Sequence, residues 1–145
     1  MNIVIGADHA GFETKEYIKK QLERLNYQVT DVGTHDTNSV NYPAYAKKVA
    51  KQVLATDAIG ILVCGTGIGM SIAANKIKGI RAAHPSDVYE AKLARQHNHA
   101  NIMTLRGRKN SNPQAWSIVH AFLLAKPDQD IRHKKRLQQI SRMEQ

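Results

Sequence analysis

The chain has 145 residues, 42% of them hydrophobic, with 21 Lys and Arg against 12 Asp and Glu, a formal net charge of +9. That length suits one domain with a substantial core. A single cysteine rules out an internal disulfide framework and any multi-Cys zinc centre. No apolar run reaches the ~18 residues of a spanning helix, and the start, Met-Asn-Ile-Val-Ile-Gly, has neither a basic leader nor a long apolar stretch. We therefore expect a cytoplasmic protein with no membrane partner. The positive charges are spread along the chain and densest at Arg132–Arg136, which reads as general surface basicity, with no nucleic-acid partner expected.

In chain order, Asn2–Ala7 reads as a first strand, its apolar residues Ile3, Val4 and Ile5 consecutive. It runs into the polar turn Asp8-His9-Ala10-Gly11. Ile18, Leu22 and Leu25 give the helix over 14–25 one buried face. Tyr27–Val32 is a second strand, followed by a polar loop. Tyr42-Pro43 opens a helix with the stripe Tyr42, Tyr45, Ala46, Val49, Ala50 and Val53. That stripe reads as core, although Tyr42 at the helix mouth can reach a ligand. Ala58–Val63 is a third strand, 79–83 a fourth, and Asn101–Leu105 a fifth. Ser86 is the expected N-cap of a helix ending near Gln96. His97-Asn98-His99-Ala100 breaks the chain before the fifth strand. Pro113 suits the first turn of a helix carrying Ala115, Trp116, Val119, Phe122 and Leu123. A basic helix closes the chain from Asp130 to Met143. Alternating strands and helices predict an α/β fold, a five-stranded parallel doubly wound Rossmann-like sheet in the order 2-1-3-4-5.

The most informative stretch is 59–75. An apolar strand runs into Cys64 and then Gly65, Gly67 and Gly69, with a helix beginning at once. Backbone N–H groups and a helix N-terminus then converge on one point and favour negative charge there. The glycines match neither a dinucleotide fingerprint nor a P-loop. A lone Cys is often only a small hydrophobe, but a thiol beside a helix N-terminus is also a candidate base or nucleophile. In the expected sheet, strands one and three meet at the switch point, so Asp8-His9 and Cys64-Gly65-Thr66 face each other. Arg132 and Arg136 lie one helical turn apart and can converge on one anion; read alone, they form a solvated basic face.

These residues resemble the B-type ribose-5-phosphate isomerases, the family shared with galactose-6-phosphate isomerase subunits. The resemblance runs through Gly6-Ala7-Asp8-His9-Ala10-Gly11-Phe12, Asp31-Val32-Gly33-Thr34, Tyr42-Pro43, the block Cys64–Lys76, Gly79–Ala83, Arg95-Gln96-His97-Asn98, and Arg132-His133 with Arg136. It implies interconversion of ribose 5-phosphate and ribulose 5-phosphate without metal or cofactor. It also implies Cys64 as the base between C2 and C1, Thr66 at the substrate oxygens, and the backbone of Gly65, Thr66, Gly67, Ile68 and Gly69 around the enediolate. His97 with Asp8 would open the furanose ring. His9, Arg108, Arg132 and Arg136 would hold the phosphate, with Asn98 at the sugar and Tyr42 among the substrate-binding residues. Where some members carry a Glu base on the glycine loop, this chain has Met70, which leaves the task to Cys64. The chain departs from the pattern at His99, Asn41, His84-Pro85, the 106–112 loop and Asp130-Ile131. His35, His84, His120 and His133 receive no role.

Two other sequence readings stand beside this one: another sugar-phosphate isomerase acting on allose or galactose 6-phosphate, and a non-catalytic phosphosugar sensor with Cys64 merely packed. His97 follows a helix that returns the chain to the sheet's amino-terminal edge, opposite Cys64. The topology therefore predicts a homodimer, or a dimer of dimers, with each site shared between two subunits and the C-terminal helix crossing over.

Overall fold

A computed structural model describes residues 1–144. Its elements are β1 (Asn2–Ala7), α1 (Phe12–Arg24), β2 (Gln28–Asp31), α2 (Tyr42–Thr56), β3 (Ile59–Cys64), α3 (Ile68–Asn75), β4 (Ala82–Ala83), α4 (Val88–Gln96), β5 (Ile102–Arg106), α5 (Asn112–Leu124) and α6 (Ile131–Arg142). The five strands form one parallel sheet. No helix among the described residues is long and apolar enough to cross a membrane.

The α/β doubly wound architecture is as expected, but the strand order is 2-1-3-5-4, so the last two strands of the expected order are exchanged. The reason lies in what each strand can bury. Ile102, Met103, Thr104 and Leu105 of β5 are all buried, as a strand covered on both faces must be. β4 has two partly exposed residues and takes the edge, where short strands are tolerated. Residues 79–81, expected to extend that strand, stand outside it. The N-cap of α4 also differs. Asp87, not Ser86, accepts the Glu90 N–H at 2.8 Å, while Ser86 donates from N–H and Oγ to the Glu90 carboxylate.

Alternation along the strands divides the core in two. Ile3, Ile5, Ile61, Val63, Met103 and Leu105 face Ile18, Leu22, Val119 and Phe122 on one side. Val4, Leu62, Cys64 and Ile102 face Val49, Val53, Met70 and Ala74 on the other. Cys64 therefore ends β3 on the side covered by α2 and α3. Close approach of the β1–α1 turn to β3 needs Gly11, because a Cβ there would run into the Val63 carbonyl.

Lys15 of α1 is fully buried and donates to Asp31 at 2.6 Å and to Glu16 at 2.9 Å, with Lys19 3.3 Å from the same Asp31 oxygen. Burial pushes the Asp31 carboxyl up, but hydrogen bonds from Lys15, the Gly33 N–H and Lys19 outweigh it and hold the group below its ordinary value. A carboxyl depressed in the folded state stabilises fully above its unfolded pKa, about 3.9, and loses that contribution as the pH falls through the folded value. Urea unfolding should therefore show stability declining from about pH 4 downward. Lys15→Ala should cost about 3–5 kcal/mol at neutral pH, as expected for breaking a buried pair. Equal stability of parent and variant across that range would remove the pair from the fold's energetics.

Candidate active site

At the carboxyl end of β1 the buried Asp8 closes a tight turn, its Oδ1 accepting the N–H groups of Ala10 at 2.9 Å and Gly11 at 3.0 Å. The neighbouring His9 accepts the Val40 N–H on Nδ1 at 3.2 Å. That bond requires an unprotonated Nδ1, so neutral His9 carries its proton on Nε2.

The loop after β3 forms the opposite wall. Cys64 is 5% exposed, and its Sγ accepts the Gly67 N–H at 3.1 Å. Thr66 is exposed and its Oγ1 accepts the Ile68 N–H at 3.2 Å, closing the start of α3. Gly67 stands at φ +79°, in the left-handed region, with the His84 ring packed behind it. His84 is held in turn by Thr104, its Nδ1 3.0 Å from Oγ1. The Tyr42 ring covers Gly69 so closely that a Cβ there would lie 2.6 Å from Cζ. First-turn amides of an α-helix have no intrahelical acceptor; with the Ile68 N–H taken by Thr66, the next amides of α3, from Gly69 and Met70, can serve an anion. The Arg108 guanidinium lies over Gly65, and the main chains join through Arg108 N–H to Gly65 O at 3.2 Å.

Together these residues line one open cleft of about 490 Å³, walled by Asp8, His9, Tyr42, Cys64, Thr66 and Arg108, with Gly65, Ile68 and Gly69 on its floor. Buried Gly67 shapes the loop beneath. The convergence expected across the β1–β3 switch point is present. Ala10 and the exposed Ile72 also border the cleft; only the fold singles them out. His84, without a role in the sequence reading, supports Gly67.

The remaining expected site residues lie elsewhere. His97 and Asn98 follow α4 at the amino-terminal edge of the sheet, where Asn98 O and His99 O accept from Arg81, just before β4. Six residues of β3, about 20 Å of strand, separate that edge from Cys64. Asp128 is tied to the end of α4 through its N–H to Gln96 O at 3.0 Å, so α6 starts beside His97. The His97 ring packs on the His133 ring with centroids 4.1 Å apart, and His133 Nδ1–H donates to the Asp128 carboxylate at 2.8 Å. That bond, against a smaller burial effect, holds the Asp128 carboxyl below its usual range. Arg132 is exposed and paired with Asp130 at 2.8 Å, which keeps the Asp130 carboxyl well below the usual range and raises the Arg132 guanidinium. Arg136 is exposed on the same helix.

Comparison with known proteins matches residues 3–140 to the family described as Ribose/Galactose Isomerase. A putative sugar phosphate isomerase of Rickettsia typhi is 45% identical over 140 residues, 96% of each chain. The solved ribose-5-phosphate isomerase B of Clostridium thermocellum superposes with a TM-score of 0.96 at 43% identity, over 99% of this chain and 97% of that one. The Mycoplasma genitalium enzyme of the same name, solved with bound ribulose-5-phosphate, gives 0.93 at 38% identity, over 99% and 95%.

Proposed function

Because this chain belongs to the ribose/galactose isomerase family, we propose that it interconverts ribose 5-phosphate and ribulose 5-phosphate, a step of the pentose phosphate pathway, with Cys64 as the base and no cofactor. The observation that carries this reading is the cleft in which Asp8, His9, Cys64, Thr66 and Arg108 converge.

The reaction moves one proton between adjacent carbons through an enediolate. It needs a base on one face, donors for the developing oxyanion, and an anchor for the phosphate. Cys64, as thiolate, takes the proton from C2 and returns it at C1. The Thr66 hydroxyl and the loop amides other than those of Gly67 and Ile68, which bond Cys64 Sγ and Thr66 Oγ1, stabilise the oxyanion, and His9 with Arg108 receives the phosphate. Met70 is fully buried and has no group to take a proton, so the loop offers no second base.

His97, the ring-opening acid, lies away from its own protomer's cleft, at the other edge of the sheet. A second copy supplies it in a homodimer, alone or within a dimer of dimers. His97 of the partner subunit, with Asp8, opens the furanose; Asn98 of the partner subunit contacts the sugar. Arg132 of the partner subunit and Arg136 of the partner subunit complete the phosphate site, a reading supported by the position of α6 beside His97.

The test is turnover by purified protein on ribose 5-phosphate, allose 6-phosphate and galactose 6-phosphate. We expect the pentose to give the highest kcat/KM; a hexose preference would reassign the substrate. With the preferred substrate, Arg132→Ala and Arg136→Ala should raise KM by about 10–150-fold, equivalent to about 1.5–3 kcal/mol for a charge-assisted contact. Inorganic phosphate should compete less well in both. Unchanged KM and unchanged phosphate inhibition would make α6 an ordinary solvated face.

A further inference from the structure

His97, Asp128 and His133 stand apart from the cleft, and the reaction as proposed uses only the first of them. We propose that these three side chains form a binding site for one divalent transition-metal ion of the zinc class. One ligand atom from each, two imidazole nitrogens and a carboxylate oxygen, lies within 4.8 Å of the other two. Asp128 Oδ2 is the common point, 2.8 Å from His133 Nδ1 and 4.0 Å from His97 Nε2. Ligand atoms bound about 2.0–2.2 Å from a tetrahedral ion sit about 3.3–3.6 Å from each other. The two observed spacings bracket that value, so small side-chain rotations suffice. The stacked imidazoles are tilted by 31° and both turn a nitrogen toward the same carboxylate.

The donor set selects the ion. Two imidazoles and one carboxylate suit Zn²⁺, Co²⁺ or Ni²⁺, whereas Mg²⁺ and Ca²⁺ prefer oxygen throughout. Three protein ligands leave a position open for water. The outer contacts hold the carboxylate in place, as metal sites require. The Asp130 N–H donates to Asp128 Oδ1 at 3.2 Å, the Asp128 N–H is fixed on Gln96 O, and the Asp128 carbonyl meets His99 Nε2 at 3.1 Å. Arg132, the nearby cation on α6, is occupied by Asp130. The His97 side chain is 41% exposed, so an ion enters from solvent. On binding, neutral His133 changes tautomer, its proton passing through water from Nδ1 to Nε2, and the metal takes the Nδ1 lone pair against Asp128. Occupancy also removes His97 Nε2 from ring opening, a consequence that rests on the function proposed above.

The experiment uses full-length protein stripped with EDTA and dialysed. Zn²⁺ titrated calorimetrically should bind at one ion per chain, and Co²⁺ should give the intense ligand-field absorption of a tetrahedral site. His133→Ala and Asp128→Asn should each weaken binding by about tenfold or more, since even outer contacts of metal sites are worth 10–100-fold. His133→Phe, which keeps a stacked ring, should lose affinity equally and so separates ligation from folding; His35→Ala should bind like the parent. Absence of stoichiometric binding, or equal affinity in parent and His133 variants, overturns the site. In parallel, the stripped protein should be active and Zn²⁺ should inhibit it, less in the His133 variants. Ligand-dependent binding without inhibition keeps the metal site and removes His97 from the reaction.

Discussion

Cys64→Ala should fold normally and lose about 10²–10⁴-fold in turnover, the usual cost of removing a general base. Normal folding is expected because the substitution removes one sulfur from a small side chain and leaves Cβ in the core. The sulfur accepts the Gly67 N–H at 3.1 Å, and a thiol sulfur is a weak acceptor. The large loss follows from the shape of the loop. Thr66 has a hydroxyl too weakly basic at neutral pH, Met70 has no ionisable group, and Asp8 already spends Oδ1 on two amides of its own turn. Measured with circular dichroism as a folding control, turnover near that of the parent would move the base away from Cys64.

The second large effect is a recovery. Cys64→Ala and His97→Ala should each be inactive, yet subunit exchange between them should restore about a quarter of parental activity. Random reassortment makes about half the dimers mixed, and in each of those one of two sites carries an intact Cys64 and an intact partner His97. Cys64 ends a parallel strand and His97 precedes one, so they occupy opposite edges of the same sheet. Were both residues to serve one subunit's site, every site in a mixed dimer would carry a defect. Exchange demonstrated by mass-tagged subunits without any return of activity would sink the shared site.

Much of the fold is legible in the chain because β1, β3 and β5 are short, mostly apolar runs bounded by turns that carry glycine or asparagine. The strand order is not. Residues 79–83 and 101–105 look alike as apolar segments, and nothing local says that the second is buried on both faces while the first is an edge. Ser86 and Asp87 are both good caps, and only backbone geometry chooses between them. Lys15 reads as a surface lysine until the Asp31 carboxylate, on the neighbouring strand, is placed over it. The cleft was more legible, because strand ends at a switch point converge whatever the details of packing. His9, Tyr42 and Arg108 reach it from three separate segments, as the resemblance implied. The grouping of His97 with Asp128 and His133 was not legible. It depends on the 125–130 segment crossing back over the end of α4, and no periodicity encodes that crossing.

The central place of β5 also sets the order in which the sheet can be completed during synthesis. β3 has β1 on one side, already made, and β5 on the other, still to come. At about 5–20 residues per second, the interval between Cys64 and Ile102 leaving the ribosome is about 2–8 s. Through that interval a strand apolar on both faces presents an unpaired edge. β4 emerges within the same interval and has no neighbour except β5. The chain must pass over one strand's width, leave a gap, and fill it last, so the nascent protein carries its stickiest edge after the glycine loop at 65–69 has already been synthesised.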